Sequence, residues 1–315
     1  MDTVNYSVVV PTYNEEQVLE ASFQRLTEVM TATGGSYELL FVDDGSVDKT
    51  VEILHRLCAE DPHVKMLRFS RNFGQQAAVT AGMDAARGQA VFVIDCDLQD
   101  PPEVMLQMIE KWREGYQVVY GKRLERKGES AFKRGTAKLF YRTLNALTDI
   151  DIPLDTGEFR LIDRAVCDAL KAMPEHNRYV RGLVSWVGFR QTAVEYVREE
   201  RFAGETKYSM AKMLKLAADG LTSFSFKPIK AAIFFGILVS AAAAVYLIVC
   251  LILSGLSRAD ISAVHYVGGV LFLLNGMLFI ALGLLGEYVG RICDEARGRP
   301  NYIIASKRGF GPEDK

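Results

Sequence analysis

Short apolar runs with the length of β-strands alternate with helical segments in the first part of the chain, and this alternation most constrains the fold. The runs are Val8–Val10, Leu39–Val42, Val64–Phe69, Ala90–Ile94 and Val118–Tyr120. Alternation of this kind predicts an α/β domain with a mostly parallel sheet. Because open sheets of this class bind ligands beyond the carboxyl ends of their strands, the residues that follow each run are candidates for a site.

Two carboxylates follow the fourth run, in the segment Asp95-Cys96-Asp97-Leu98-Gln99. Alternate side chains of an extended chain share a face, so Asp95 and Asp97 can point at the same spot. Mg²⁺ and Mn²⁺ take few carboxylates and complete their octahedron with water and phosphate oxygens. The pair therefore predicts a metal site for a nucleotide diphosphate, with a plain Asp-rich loop as the alternative.

Polar segments also follow the first three runs. Pro11, Tyr13 and Glu15 are candidates for the walls of a base or ribose pocket, whereas Asn14 is expected to cap the next helix. Asp43 and Asp44 precede Gly45, and their carboxylates can accept hydrogen bonds from a base or ribose. The spacing in this segment is not that of a P-loop, which argues against a P-loop ATPase. After the third run, Arg71 is either a phosphate ligand or a solvated charge.

Charge and cysteine content exclude several classes of protein. The net charge of −2 argues against general nucleic-acid binding, which would require a strongly basic domain. The five cysteines show no C-x-x-C spacing, so neither a disulfide framework nor a zinc site is indicated. The first strand-like run begins almost at once, and we expect no signal peptide ahead of it.

Two long apolar stretches lie in the carboxyl-terminal third. Residues 229–253 carry only Lys230, residues 264–286 carry no charge, and each is long enough to cross a bilayer. They predict a transmembrane hairpin at about 229–253 and 264–287, with two buried helices of a soluble core as the alternative. Lysines and arginines flank the outer ends of the pair, so both termini are expected in the cytoplasm.

These features predict four regions. Residues 1–208 are expected to form a cytosolic α/β domain, 209–227 an amphipathic segment at the membrane interface, 228–290 the two transmembrane helices and 291–315 a cytosolic tail. An ordinary surface helix packed on the soluble domain is the alternative for the amphipathic segment.

The strand-end segments, taken in order, resemble the GT-A (Rossmann-like) glycosyltransferases of family 2. The matching segments are Val10–Glu15, Val42–Ser46, Arg71–Gly74 and Asp95–Glu103. Later segments are similar to the polyprenyl-phosphate branch, which includes dolichol-phosphate mannose synthases and bactoprenol glucosyltransferases; they are Asp155–Leu161, Arg201–Tyr208 and Gly283–Arg291. Cys96 and Thr206 are slight departures, standing where Ala and Ser are common.

The resemblance implies inverting transfer of a hexose from a nucleotide-diphosphate sugar to undecaprenyl or another polyprenyl phosphate. Glucose from UDP-glucose is the leading donor, with UDP-GlcNAc, GDP-mannose, UDP-galactose or a modified pentose as alternatives. It further implies a multi-pass protein of the bacterial inner membrane, with its catalytic domain in the cytoplasm, and a homotetramer. Two other classes of protein are the alternatives to this function. A processive polysaccharide synthase would require more membrane helices. A noncatalytic membrane scaffold would not require four charged residues together, namely Asp95, Asp97, Arg123 and Arg201.

The resemblance also assigns roles to individual residues. Asp95, Asp97 and Gln99 would hold Mg²⁺ or Mn²⁺ on the diphosphate. The nucleotide sugar would contact Pro11, Tyr13, Glu15, Val42, Asp44 and Asp95. Arg123, Arg134 and Lys207 would bind the acceptor phosphate, and Arg201 would reach the diphosphate from a closing loop. Asp155 would orient the sugar or the acceptor, with a general-base role as the alternative.

Overall fold

The computed structural model describes residues 4–124, 156–173, 175, 178–198 and 262–311. In chain order its elements are β1 (Tyr6–Thr12), α1 (Leu19–Ala32), β2 (Tyr37–Asp43), α2 (Thr50–Glu60), β3 (Val64–Phe69), α3 (Gln75–Ala85), β4 (Ala90–Val93), α4 (Val104–Arg113), β5 (Val118–Arg123), β6 (Thr156–Asp163), α5 (Arg164–Lys171), α6 (Val180–Trp186), β7 (Gln191–Tyr196), α7 (Ser262–Arg297) and β8 (Ile304–Arg308).

The strands form one sheet of eight in the order β7-β5-β6-β4-β1-β2-β3-β8. Parallel pairing joins β4, β1, β2 and β3, and it also joins β5 to β7. The mostly parallel α/β sheet expected from the sequence is therefore confirmed, and the five predicted runs coincide with β1 to β5, the fourth extending one residue beyond β4. Parallel pairing brings the carboxyl ends of β1, β2, β3 and β4 to a common edge of the sheet.

Strands β6, β7 and β8 were not predicted from the sequence. Strands β6 and β8 pair antiparallel with their neighbours, and β7 pairs parallel with β5. Strand β6 runs antiparallel between β4 and β5, and its first residue Thr156 pairs with Lys122. Its amino-terminal end therefore lies at the edge where β4 and β5 end. Strand β8 runs antiparallel along β3 and caps the far side of the sheet.

Apolar side chains cover both faces of the sheet because successive strand residues point to opposite sides. On one face, Val8 and Val10 belong to a cluster with residues of α1, α2 and α4. On the other face, Val9 packs with residues of α3, α5 and α6. A Cβ on Gly82 would lie 2.2 Å from a Val9 methyl carbon, so a glycine is needed where α3 crosses β1.

The expected helix cap at Asn14 is wrong. Helix α1 begins later, at Leu19, and its N-cap Val18 provides no side-chain hydrogen bond. Asn14 instead adopts a left-handed conformation with φ of 53°, and its Oδ1 accepts a hydrogen bond of 2.9 Å from the Val47 N–H. Its side chain thus ties the loop after β1 to the loop after β2.

The predicted transmembrane hairpin is not seen in the described residues. No helix in that part of the chain is long and apolar enough to cross a membrane. The first predicted span, 229–253, lies outside the described residues, as does the amphipathic segment 209–227, and the residues of the second span fall within α7. The carboxyl-terminal part, predicted as a tail, continues α7 to Arg297 and then forms β8.

Candidate active site

The loop after β4 carries the predicted metal ligands. Asp95, Asp97 and Gln99 are all half-buried, and the Gln99 N–H donates to Asp97 Oδ1 at 3.2 Å. Leu98 between them is buried and has a φ of 57°. A left-handed conformation is unfavourable for a residue other than glycine and tends to occur at functional sites. The chain therefore bends sharply at the point where the ligands were expected.

Negative charge accumulates around Asp95. Burial, followed by the charges of Asp100, Asp97 and Glu158, raises the pKa of Asp95 to about 7. Gln75 from α3 donates a 2.8 Å hydrogen bond to Asp95 Oδ1 and fixes the carboxylate. A bound cation would offset this excess of negative charge.

The donor set at this loop fits a Mg²⁺ or Mn²⁺ ion that keeps most of its ligands as water and phosphate. Among the described residues there is no group of three or more His, Cys, Asp or Glu side chains that could hold a metal by itself. Mg²⁺ is commonly bound by one or two carboxylates together with substrate phosphates. Asp95 and Asp97, with Gln99 beside them, provide hard oxygen ligands of this kind.

Asp44 connects the ends of β2 and β3. Its two carboxylate oxygens accept hydrogen bonds from the Phe73 and Gly74 N–H groups, at 2.7 and 2.9 Å. Burial raises the pKa of Asp44, while these two bonds act in the opposite direction. A Cβ on Gly45 would lie 2.7 Å from the Arg71 carbonyl carbon, so the two loops approach as closely as backbone allows.

The remaining predicted nucleotide residues differ in accessibility. Tyr13 is exposed directly after β1, whereas Pro11 and Glu15 are half-buried. The Glu15 N–H donates to Thr50 Oγ1 at 2.9 Å, which adds a second link between the first two strand-end loops. Val42 is fully buried and packs in the core, so its side chain is not placed in an open pocket.

Arg123, predicted to bind phosphate, ends β5 and is held by two partners. Its Nη2 donates to both oxygens of Asp100 at 3.2 Å, and its Nε donates to the Tyr196 hydroxyl at 3.2 Å. The Tyr196 hydroxyl in turn donates to Asp100 Oδ1 at 2.5 Å. Burial would lower the pKa of Arg123, but the Asp100 charge together with Tyr196 and the hydrogen bonds to both outweighs burial and raises that pKa.

Glu158 on β6 is the centre of a second buried ionic group. Its Oε1 accepts hydrogen bonds from Arg181 at 2.7 Å and from Gln76 at 3.2 Å, and Arg160 lies 3.8 Å from its Oε2. Burial would raise the pKa of Glu158, but the two guanidinium groups outweigh it and hold that pKa below its usual value. This group anchors β6 to α3 and α6 beside Asp95.

The structure brings together Asp95, Asp97, Gln99 and Arg123 at one edge of the sheet. Asp155, Arg134, Arg201 and Lys207 lie outside the described residues, so their placement stays a prediction. Sequence reasoning missed the roles of Asp100, Glu158 and Tyr196. Asp100 follows the metal ligands in the same loop, which was an available signal, whereas Tyr196 lies on a strand that was not predicted.

Comparison with known proteins supports what this geometry indicates. Residues 7–171 match glycosyl transferase family 2. Together with the sheet and the carboxylate loop at its edge, this match shows that the chain belongs to glycosyl transferase family 2 and is a glycosyltransferase.

Three curated relatives cover nearly the whole chain. The uncharacterized glycosyltransferase YkcC of Bacillus subtilis is 55% identical over 99% of this chain and 96% of its own. The prophage bactoprenol glucosyl transferase homolog of Escherichia coli is 40% identical, over 95% of this chain and 97% of its own. The bactoprenol glucosyl transferase of Shigella phage SfV is 39% identical, over 96% and 98%.

Proposed function

We propose that this glycosyltransferase moves a hexose from a nucleotide-diphosphate sugar, with UDP-glucose as the leading donor, to undecaprenyl or another polyprenyl phosphate. One observation carries the proposal: the carboxylates of Asp95 and Asp97 and the guanidinium of Arg123 share one edge of the sheet. A metal–diphosphate and a phosphate monoester require these two kinds of group side by side. Relatives described as bactoprenol glucosyl transferases support the choice of acceptor and sugar.

Each residue of this edge has a definite task in the proposed reaction. Asp95, Asp97 and Gln99 would hold Mg²⁺ or Mn²⁺, which would neutralise charge on the departing diphosphate. Asp44 holds the loop Phe73–Gly74 against the end of β2, where the nucleoside would lie. Arg123 would bind the acceptor phosphate, joined by Arg134 and Lys207.

The acceptor needs little activation. A phosphate monoester has a second pKa of about 6, so most of it is a dianion at neutral pH and is already nucleophilic. Asp155 would therefore orient the sugar or the acceptor, with a general-base role as the alternative. Direct attack by the phosphate on the sugar inverts the anomeric configuration. Arg201 would reach the diphosphate if its segment closed over the donor, which would exclude water and suppress hydrolysis.

The acceptor also defines the proposed location. A long polyprenyl tail requires a lipid phase, and the stretch 229–253, whose only charge is Lys230, has the length in sequence to cross a bilayer. We place the catalytic domain and both termini on the cytoplasmic face of the bacterial inner membrane, as a homo-oligomer. Protease protection of inside-out and right-side-out vesicles, together with the mass of the purified protein in detergent, tests these assignments.

Transfer from a panel of radiolabelled UDP- and GDP-sugars to undecaprenyl phosphate tests the reaction. The assay uses the full chain in detergent with Mg²⁺, Mn²⁺ or EDTA, for the wild type and for Asp97→Ala. Metal-dependent labelling of the lipid from one donor, lost in the variant, is the expected result and identifies the sugar. Absence of labelling from every donor, with folded protein and intact acceptor, would contradict the proposal.

A further inference from the structure

A carboxylate and a phenol fix the guanidinium of Arg123 from two directions. Asp100 is 1% exposed and Tyr196 is 5% exposed, so neither meets bulk solvent. Between them they engage Nε and Nη2 of Arg123. Within the described residues, Nη1 makes no hydrogen bond. The guanidinium therefore has a defined orientation before any ligand arrives.

The surroundings of Arg123 leave it little room to turn. A Cβ on Gly157 would lie 2.6 Å from Arg123 Nη2, so β6 begins directly against the guanidinium. The ring of Tyr196 packs edge-on against Phe159, with the ring centroids 5.7 Å apart. Loss of the Tyr196 hydroxyl would thus remove two hydrogen bonds without removing the packing of the ring.

A second cation shares the same carboxylate. Arg198 Nε lies 3.6 Å from Asp100 Oδ1, and among the described residues this buried nitrogen has no hydrogen-bond partner. Two guanidinium groups and one carboxylate leave a net charge of +1. Asp100 therefore offsets part of the repulsion between the two arginines, and these three side chains together keep one positive charge beside the negative loop of Asp95 and Asp97.

The position of this group in the sheet distinguishes between two phosphate-bearing substrates. The strand order places β5, β6 and β7 on one side of β4, and β1, β2 and β3 on the other. Asp44, with its hold on the loop after β3, lies on the second side. The group of Asp100, Arg123 and Tyr196 lies on the first side, so the loop after β4 separates it from Asp44. On the proposed function, the acceptor would approach this first side.

We infer that Asp100 and Tyr196 are positioning residues that orient Arg123 for the phosphate of the lipid acceptor. This inference rests on the proposed function, because it assigns a task to the acceptor side of that same site. Neither residue touches the reacting atoms, and each acts through Arg123.

The variants Tyr196→Phe and Asp100→Asn test the inference, with Glu195→Gln as a matched control. Glu195 neighbours Tyr196 on β7 and forms an exposed ion pair with Lys122 at 2.7 Å. For Tyr196→Phe we expect the KM for undecaprenyl phosphate to rise about tenfold, the loss expected for hydrogen bonds to a charged group. The KM for the sugar donor should stay within about twofold, and the control should match the wild type.

Binding of farnesyl phosphate, measured by calorimetry on the same full-length proteins, separates this inference from the reaction itself. Weaker binding to Tyr196→Phe than to the wild type supports the inference even if no donor sugar is transferred, in which case only the proposed function fails. Equal binding and equal acceptor KM in either variant, once that variant is shown to be folded, would overturn it. So would a parallel rise in the KM values of donor and acceptor, and so would a wild type that binds no phosphate monoester.

Discussion

The two sides of the sheet edge are held together by different interactions, backbone hydrogen bonds on one side and side-chain ion pairs on the other. On the nucleotide side, at the ends of β1, β2 and β3, loops are held by hydrogen bonds from backbone N–H groups to Asp44, Asn14 and Thr50. On the arginine side, at the ends of β5 and β7, side-chain ion pairs join Arg123 and Arg198 to Asp100. The carboxylate loop after β4 lies between them.

This difference indicates how one edge can separate two phosphorylated substrates. A nucleoside is neutral and is recognised by shape and hydrogen bonds, which a loop fixed by its backbone can provide. A phosphate monoester is recognised by charge, and arginines held in a fixed orientation give bidentate contacts. The diphosphate would lie between the two sides, where Asp95 and Asp97 would hold a cation.

Removal of the Asp97 carboxylate should have the largest effect, because the cation that it would hold acts on the reacting diphosphate itself. We expect Asp97→Asn to lower kcat by at least about a hundredfold, since charge on the leaving diphosphate would lose its metal. Transfer of labelled sugar to polyprenyl phosphate measures this. Glu114→Gln, an exposed surface change, is the control, and an Asp97→Asn variant within threefold of the wild type would contradict a metal role.

A substitution on the nucleotide side should raise the KM for the sugar donor and leave the KM for the acceptor unchanged. In Asp44→Asn an NH₂ group replaces one oxygen, so one of the Phe73 and Gly74 N–H groups loses its acceptor. We expect the donor KM to rise about tenfold with the acceptor KM unchanged, the mirror image of Tyr196→Phe. Steady-state kinetics with each substrate varied in turn measure both values, and Glu52→Gln, at an exposed position of α2, is the control. Equal rises in both KM values would show that the two sides are not separate.

The pH dependence of metal binding should reflect the raised pKa of Asp95. Because that pKa is about 7 without metal, the carboxyl group is mostly protonated at pH 6 and mostly ionised at pH 8. Metal binds the ionised form, so Mn²⁺ affinity should rise with pH through 7 and level off above it, by at most about tenfold per unit. Titration of Mn²⁺ followed by electron paramagnetic resonance measures the affinity. A flat profile between pH 6 and 8 would contradict the raised pKa.

The smallest effect is expected at the strand that flanks the nucleotide side. Tyr302, just before β8, stacks on Phe69 with ring centroids 5.2 Å apart, and its hydroxyl donates to Asp84 at 3.0 Å. We expect Tyr302→Phe to lower the free energy of unfolding by about 1 kcal/mol, the value of one hydrogen bond, and to leave the stacking intact. Denaturant unfolding measures this. Asn301→Ala, which removes a longer exposed bond of 3.3 Å to the Glu175 carbonyl, should cost less.

Much of the sheet could be predicted from the sequence because local pattern determines it. Five mainly apolar runs became β1 to β5, and the burial of these strands on both faces explains why four of the runs are continuously apolar. Asp95 and Asp97 were predicted to share a site for the same reason, since a strand end fixes where the following side chains lie.

The unpredicted elements depend on contacts between distant parts of the chain. Strand β8 forms only because β3 offers an open edge some 240 residues earlier in the chain, as in the pairing of Met66 with Arg308. Asn14 stands where the sequence predicts a helix cap, yet its side chain accepts a hydrogen bond from the Val47 N–H in another loop. Local propensity could not anticipate either outcome, because the competing partner is remote in sequence.

By itself, the sequence determined the parallel sheet, the edge at which chemistry occurs and the carboxylates that would hold a metal. Only the tertiary structure decided which groups hold Arg123, because Asp100 and Tyr196 come from a loop and a strand 96 residues apart. Strand periodicity is a local property of a few side chains and can be read along the chain. The orientation of a guanidinium depends on buried partners that folding brings together.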